Sequence, residues 1–213
     1  MGAYTLRLCE HHLEPRAGLG LAAVPHIIYV LAGDVDVNTG NRHVSIATDC
    51  AWHSPEGESL TAGRNGATLL RYELLGAKNP AEKTRAVLAH AMDLDEAGQY
   101  LIRCDRVDFA PGGEALPHGH KGGGIRRLIA GELDVRVGGA PRRVMKPGDA
   151  WFESGIEPVH AIASATAPTS FIRVSILPRA IRGQSSIVYV DPAHAAVKPR
   201  KYTVFVDDPT PLP

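Results

Sequence analysis

The sequence contains IAGELDV at residues 129–135 and a close copy, LAGDVDV, at residues 31–37. Two further matches follow in the same order, pairing residues 49–52 (DCAW) with 149–151 (DAW), and residues 69–71 (LLR) with 171–173 (FIR). The separations are 98, 100 and 102 residues, so they drift only by short loop insertions. Three matches in order indicate a duplicated unit, because chance rarely repeats a pattern at one spacing.

Each copy has the pattern of short strands and turns that is typical of a β-protein. The 22 glycines and 16 prolines separate short runs rich in valine, isoleucine and leucine, such as residues 27–31, 100–109 and 171–177. Many short apolar runs between Gly/Pro turns are typical of antiparallel sandwiches and barrels. The fold class is therefore predicted to be all-β and antiparallel.

One segment between the copies has helical features. Asn79 offers an N-cap, Pro80 suits the first helical position, and Glu82 lies near the start of the first turn. Apolar residues then recur at helical spacing as far as Met92. The spacing predicts a helix over about 80–93.

These features divide the chain into four parts. Residues 1–78 are expected to form a first domain and residues 79–99 a helical linker. Residues 100–190 are expected to form a second domain, and residues 191–213 an extended tail with five prolines.

Three histidines in the second copy carry the candidate chemistry. His118 and His120 are two residues apart, and on a strand such side chains point to the same face. His160 follows forty residues later, after the turn residues 147–149 (PGD), and could lie on a neighbouring strand. Imidazole nitrogens in such an arrangement can share one metal ion at about 2.1 Å, although a lone histidine is more often a surface or hydrogen-bonded residue.

The order of these elements resembles the paired motifs of the cupin superfamily. There the first motif carries His-x-His, a glutamate and a glycine, and the second carries Pro-x-Gly and a third histidine. The resemblance is good over residues 100–178 and weaker over 20–75, which suggests a two-domain cupin. It implies two small antiparallel jelly-roll barrels, with a metal ion held in the second by His118, His120 and His160.

The sequence departs from the family pattern at the expected glutamate, where Gly124 stands in a run of three glycines. The inferred shell is then three neutral histidines, and Glu153 or Glu114 could supply a carboxylate from a loop. The first copy lacks the histidines, so a structural or substrate-shaping role is expected for it.

A buried arginine is expected beside the metal. Strand alternation turns Arg126 towards the cavity, where its guanidinium could bind a substrate carboxylate. The alternative is a salt bridge to an internal acid such as Glu132, Asp134 or Glu153. Arg126 and Glu153 are the candidate catalytic residues.

Three classes of function remain open at this point. The leading hypothesis is a non-haem iron dioxygenase-like enzyme acting on a small anionic, chelating substrate, with Fe(II) favoured and Zn, Mn or Ni as alternatives. The second is a redox-neutral isomerase, lyase or cyclase that uses the metal as a Lewis acid. The third is a non-enzymatic small-molecule-binding protein.

Composition restricts the partners. The 23 basic and 23 acidic side chains give a net charge of zero, which favours neither nucleic acid nor an anionic membrane as a partner. The three cysteines show no metal-ligand spacing and are expected to be reduced thiols. With no apolar run long enough to span a bilayer, a cytoplasmic location is expected. A small-molecule substrate and a homodimer are the expected partners.

Overall fold

The computed structural model describes residues 2–40, 42–79, 85–197 and 200–213. The chain divides into two compact units. Unit 1 comprises Met1–Gln99 with Thr210–Pro213, and unit 2 comprises Tyr100–Pro209.

Unit 1 is built from seven antiparallel strands. They are β1 (Gly2–Leu13), β2 (Gly18–Leu21), β3 (His26–Asn38), β4 (His43–Ala47), β5 (Ala51–Ser54), β6 (Glu58–Leu75) and β7 (Ala86–Leu94). The sheet has the order β4-β3-β6-β1-β7, while β2 pairs with β6 and β5 pairs with β3. The long strands β3 and β6 therefore carry most of the pairing in this unit.

Unit 2 contains two five-stranded sheets, with the orders β13-β10-β15-β8-β17 and β12-β11-β14-β9-β16. The strands are β8 (Tyr100–Phe109), β9 (Glu114–His120), β10 (Gly124–Ala130), β11 (Leu133–Val137), β12 (Arg143–Met145), β13 (Ala150–Glu153), β14 (Val159–Ala163), β15 (Thr169–Pro178), β16 (Ile187–Tyr189) and β17 (Arg200–Thr210). Within the described ranges the helical segments are two short 3-10 turns, and no helix could span a membrane.

The strand pairing repeats between the units. In unit 2, β10 lies between β13 and β15, and Arg126 faces Trp151. In unit 1, β3 lies between β5 and β6, and Ile28 faces Trp52 in the corresponding register. The sheet continues in the same way, because β7 flanks β1 as β17 flanks β8. The predicted all-β, antiparallel fold class is confirmed.

The glycine shared by the two repeats has a conformational role. Gly33 and Gly131 have φ values of 77° and 72°, in the left-handed region that residues with a Cβ rarely adopt. A Cβ on Gly131 would also lie 2.4 Å from the carbonyl oxygen of Pro168. The backbone thus requires glycine at this bend in both copies.

The helix predicted over about 80–93 is wrong for residues 86–93, which lie in strand β7. Tyr4 of β1 pairs with Met92, and Met92 and Leu94 are buried while Asp93 between them is exposed. A period of two fits this strand, and the helical spacing arose because alanines weaken the contrast between its faces. Residues 80–84 lie outside the described residues.

The expected tail is partly a strand of the second unit. Residues 200–210 form β17 at the edge of the sheet, beside β8, so the alternating residues of the tail pair as an edge strand. This strand brings Arg200 and Tyr202 to the wall of a cavity in unit 2. All three cysteines are free; Cys9 and Cys104 are buried and Cys50 is exposed.

Candidate metal centre

Unit 2 encloses a cavity to which both of its sheets contribute side chains. The polar residues that line it are His118 and His120 from β9, Arg126 from β10, Glu153 from β13, Arg173 from β15, and Arg200 and Tyr202 from β17. The cavity has a free volume of about 20 Å³, which is room for about one water molecule. Apolar residues such as Trp151 and Phe171 form the remaining wall.

The two histidines of the His-x-His motif point into this cavity together, as the strand geometry predicts. Their ring centroids are 4.9 Å apart. His118 Nδ1 lies 2.7 Å from the carbonyl oxygen of Leu116. Since a carbonyl only accepts, Nδ1 carries the hydrogen and the lone pair is on Nε2. His118 is thus held in the tautomer that leaves Nε2 free to bind a cation.

A carboxylate lies beside His120. Glu153 Oε2 is 3.3 Å from His120 Nε2, and both side chains are buried. Two donors that bind one ion at about 2.1 Å and at right angles lie about 3.0 Å apart. The observed separation is close to that value; in the metal-free protein the neutral His120 donates its Nε2 proton to this carboxylate, and a bound ion would have to take the place of that proton. His118, His120 and Glu153 therefore offer two imidazoles and one carboxylate, a donor set suited to Fe(II).

Arg126 faces the cavity as predicted, and its partner there is Glu153. The Nη2 atom lies 2.7 Å from Glu153 Oε2, and Nη1 donates to the carbonyl oxygen of Gly124 at 2.6 Å. Trp151 Nε1 donates to Glu153 Oε1 at 2.8 Å. Of the two roles considered for Arg126, the structure shows the internal salt bridge, which orients the carboxylate of Glu153.

Gly124 explains why the carboxylate comes from another strand. A Cβ at this position would lie 2.4 Å from the carbonyl oxygen of Val174 and 2.8 Å from the Cα of Ser175. Strand β15 thus leaves no room for a glutamate side chain. Glu153 is the residue directly opposite Gly124 on β13.

His160 does not join the other two histidines. In β14 the side chains of Val159 and Ala161 are buried, and the alternation turns His160 to the other face. There its Nε2 lies 2.6 Å from Glu114 Oε1, and these side chains are 28% and 45% exposed. The geometry gives no support to His160 as the third ligand, nor to Glu114 as a carboxylate ligand.

No ion site is fully assembled. Among residues 2–40, 42–79, 85–197 and 200–213, no group of three or more His, Cys, Asp or Glu side chains is placed so that it could hold a metal ion. Arg200 Nη2 lies 3.4 Å from His118 Nε2, the atom that would bind the ion. Ion binding at His118, His120 and Glu153 would therefore require a local movement of side chains.

Burial keeps both histidines neutral. It lowers the pKa of His118 to about 4, and the positive charge of Arg200 adds to this effect. Burial lowers the pKa of His120 to about 3, although Glu153 partly opposes the shift. Burial alone would raise the pKa of Glu153, but Arg126 and His120 hold it well below its usual range. The site thus offers two neutral imidazoles and an ionised carboxylate near neutral pH, the states that metal binding needs.

Two cavity arginines were not identified from the sequence as site residues. Arg173 forms a two-point salt bridge with Asp105, at 2.9 and 2.6 Å. Arg200 comes from β17, and its Nε bonds to the hydroxyl of Tyr202. The alternation of Arg200 and Tyr202 suggests one shared face, but only the pairing of β17 with β8 shows which site they reach.

The corresponding region of unit 1 has different chemistry. His26 lies at the position equivalent to Gly124, and its Nε2 is 2.8 Å from Glu58 Oε1. Trp52 Nε1 donates to the other oxygen of Glu58 at 3.1 Å. The polar atoms of His26, Glu58 and Trp52 thus satisfy one another.

Residues 105–175 match the protein family described as the cupin domain. This part of the chain, about a third of its length, is therefore similar to a cupin domain. Its match covers the strands that carry His118, His120, Arg126 and Glu153. A comparison with curated protein sequences finds no match.

Solved structures similar to the whole chain extend the fold assignment. Oxalate decarboxylase from Lactobacillus farciminis, in a formate complex, has 14% identity and a TM-score of 0.66, covering 92% of this chain and 82% of that chain. AerE from Microcystis aeruginosa has 11% identity and a TM-score of 0.60, covering 83% and 88%. A salicylate 1,2-dioxygenase from Pseudaminobacter salicylatoxidans has 11% identity and a TM-score of 0.58, covering 94% and 75%. At these identities the likeness shows the fold alone.

Proposed function

We propose that unit 2 is a cupin domain and a metal-dependent enzyme that binds a divalent ion through His118, His120 and Glu153. The observation that carries this proposal is the 3.3 Å separation of His120 Nε2 and Glu153 Oε2, with the neutral His118 beside them. Two histidines and one carboxylate favour Fe(II) among the divalent metals, and they leave up to three coordination positions open. When bound, such an ion would supply a Lewis acid and, as iron, a centre for oxygen chemistry.

The protein residues around this donor set would each have a definite task. Arg126 and Trp151 hold both oxygens of Glu153 and fix its orientation, as partners of metal ligands commonly do. The carbonyl of Leu116 fixes the tautomer of His118. The apolar wall of Phe171 and Trp151 excludes water from the reacting groups. Unit 1, with the equivalent strand pairing, would be a second, degenerate cupin domain.

The reaction class that we propose is dioxygenation of a small anionic substrate. The fold relatives include a protein named salicylate 1,2-dioxygenase, whose substrate is a small carboxylate. The positively charged side chains of Arg173 and Arg200 make the cavity suited to an anion. A redox-neutral reaction would need a general base, and burial raises the pKa of Tyr202, which makes this phenol a poor base.

Reconstitution with iron tests the reaction class. Protein loaded anaerobically with Fe(II) should consume O₂ when small carboxylates, diketones, thiols or catechols are added, and zinc-loaded protein should not. Arg182→Met, on the exposed surface of unit 2, is a matched control that should retain the activity of the original protein. Equal turnover with zinc would contradict oxygen chemistry and favour an isomerase, lyase or cyclase.

A further inference from the structure

Arg200 differs from the other arginines of the cavity in its charge balance. Arg126 is paired with Glu153 and Arg173 with Asp105, so their charges are compensated. Across the described part of the chain, Arg200 contacts no carboxylate; its polar contacts are Tyr202 and His118. The Nη1 atom is buried and has no hydrogen-bond partner. The guanidinium is partly buried and faces no anion, so an anionic ligand that reached Nη1 would stabilise it.

The surroundings of Arg200 fit an anionic group. Its guanidinium lies 6.0 Å from the ring centroid of Phe109 and 5.7 Å from that of Tyr202, so both rings limit how it can turn. The cavity holds about one water while Arg200 occupies it. A substrate larger than water can therefore enter only if side chains that line the cavity move, and Arg200 is one of them. Arg200 also contacts His118, one of the proposed metal ligands.

The contact between Arg200 and His118 couples metal binding by His118 to the release of the Arg200 side chain. Arg200 Nη2 donates to His118 Nε2 at 3.4 Å. The same lone pair cannot bind a metal ion and accept this hydrogen bond. Metal binding would therefore release Arg200, and the released guanidinium would have two nitrogens available for the two oxygens of a carboxylate.

We propose that Arg200 recognises the carboxylate of the substrate, and that it becomes available to do so when His118 turns to the metal. This rests on the proposed function for the metal ligands, but the anion contact itself can be tested separately. The substrate class is a small monocarboxylate whose neutral amide binds weakly. Tyr202, through its hydrogen bond to Nε, is a positioning residue for Arg200.

The test uses the zinc-loaded full chain, because zinc is diamagnetic and does not react with O₂. Trifluoroacetate and its neutral amide, trifluoroacetamide, are titrated separately and followed by ¹⁹F NMR. The original protein should bind the anion at least about tenfold more tightly than the amide, as expected for a charged hydrogen-bond pair. Arg200→Met should remove most of this preference, Arg200→Lys should retain part of it, and Arg182→Met should leave it unchanged.

Zinc affinity provides the readout that separates recognition from folding. Arg200→Met removes a competitor for His118 Nε2, so zinc should bind as tightly as before or a few-fold more tightly while trifluoroacetate binding falls. A merely structural defect would weaken both. Unchanged discrimination between anion and amide in Arg200→Met would overturn the proposal. If the original protein bound no zinc but still bound trifluoroacetate through Arg200, the metal site would be refuted, and the anion contact would stand.

Discussion

The buried pair of Arg126 and Glu153 allows a quantitative test of how the site is held. The two charges are 2.7 Å apart, and their side chains are 1% and 6% exposed. Removing one partner of such a pair leaves the other charge buried and unpaired, which costs about 3–5 kcal/mol. Glu153→Gln keeps the acceptor for Trp151 and removes the charge that Arg126 needs. We therefore expect Glu153→Gln to lower the free energy of unfolding of the metal-free protein by this amount.

A double-mutant cycle isolates the interaction between the pair. Arg126→Met alone should also destabilise the protein, because the carboxylate of Glu153 then lacks its main counter-charge. In Arg126→Met/Glu153→Gln no charge of the pair remains, so its loss should be at least about 2 kcal/mol smaller than the sum of the two single losses.

Urea unfolding followed by the fluorescence of Trp151 measures these free energies. A Trp52→Phe background removes the signal of unit 1, so that the transition reports on unit 2. Arg182→Met is the matched control, because Arg182 and Asp208 form a salt bridge of 2.8 Å that is about half exposed. It should cost less than about 1 kcal/mol. A coupling energy below about 0.5 kcal/mol for Arg126 and Glu153 would refute the reasoning.

Two further predictions concern the strand packing and the pH dependence of stability. Gly124→Ala should destabilise unit 2 by about 3 kcal/mol or more in urea unfolding, because the added Cβ meets the backbone of β15. Gly139→Ala, also in unit 2 and with nothing within 4 Å, should be nearly neutral, and equal effects of the two changes would contradict this packing. The pKa of His118 falls from 6.5 to about 4 on folding, so the unfolded chain binds more protons and stability falls as the pH drops through this range. Between about pH 7.5 and 4.5 this loss is about 2.5 kcal/mol, and unfolding curves of metal-free His118→Asn should lack it. An identical pH dependence in the two proteins would show that His118 is not buried as described.

The sequence allowed the all-β fold and the His-x-His pair to be predicted, because both depend on local pattern. A period of two places His118 and His120 on one face whatever the tertiary structure, and the same rule turned Arg126 to the cavity. The glycine at position 131 was also visible as a motif, and the structure adds its positive φ. Local periodicity was thus sufficient to predict that His118, His120 and Arg126 face the cavity.

The local sequence does not show which way His160 points, because the alternation places it on the same face as the apolar Ile162. Residues 159–163 read VHAIA, in which the small apolar residues alternate with His160 and Ile162. The structure buries Val159, Ala161 and Ala163. The family motif suggested a third histidine at this point in the chain, but its side chain lies one position out of phase with the cavity.

Glu153 was predicted from the sequence as a candidate carboxylate and catalytic residue, but its place opposite Gly124 and the presence of Arg200 in the cavity depend on long-range strand pairing. Glu153 reaches the site because β13 pairs with β10 and places Glu153 opposite Gly124. Strand β15 leaves no room for a larger residue at position 124. Arg200 reaches it because β17 joins the sheet beside β8, about one hundred residues away along the chain. No local signal in the sequence encodes these contacts. The strand at residues 86–94 was predicted as a helix for the same reason. Its alanines fit a helical pattern, and only its pairing with β1 shows that it is a strand.

The most direct test of the central claim is the zinc affinity of four proteins, measured by competition with a chelator: the original sequence, His120→Ala, Glu153→Gln and His160→Ala. We predict that His120→Ala and Glu153→Gln each weaken zinc binding by at least about 100-fold, because each removes a ligand from a three-ligand set. His160→Ala should bind zinc as the original protein does, since His160 lies on the other face of β14 beside Glu114. Loss of zinc binding in His160→Ala together with its retention in Glu153→Gln would contradict the site and favour the three-histidine set.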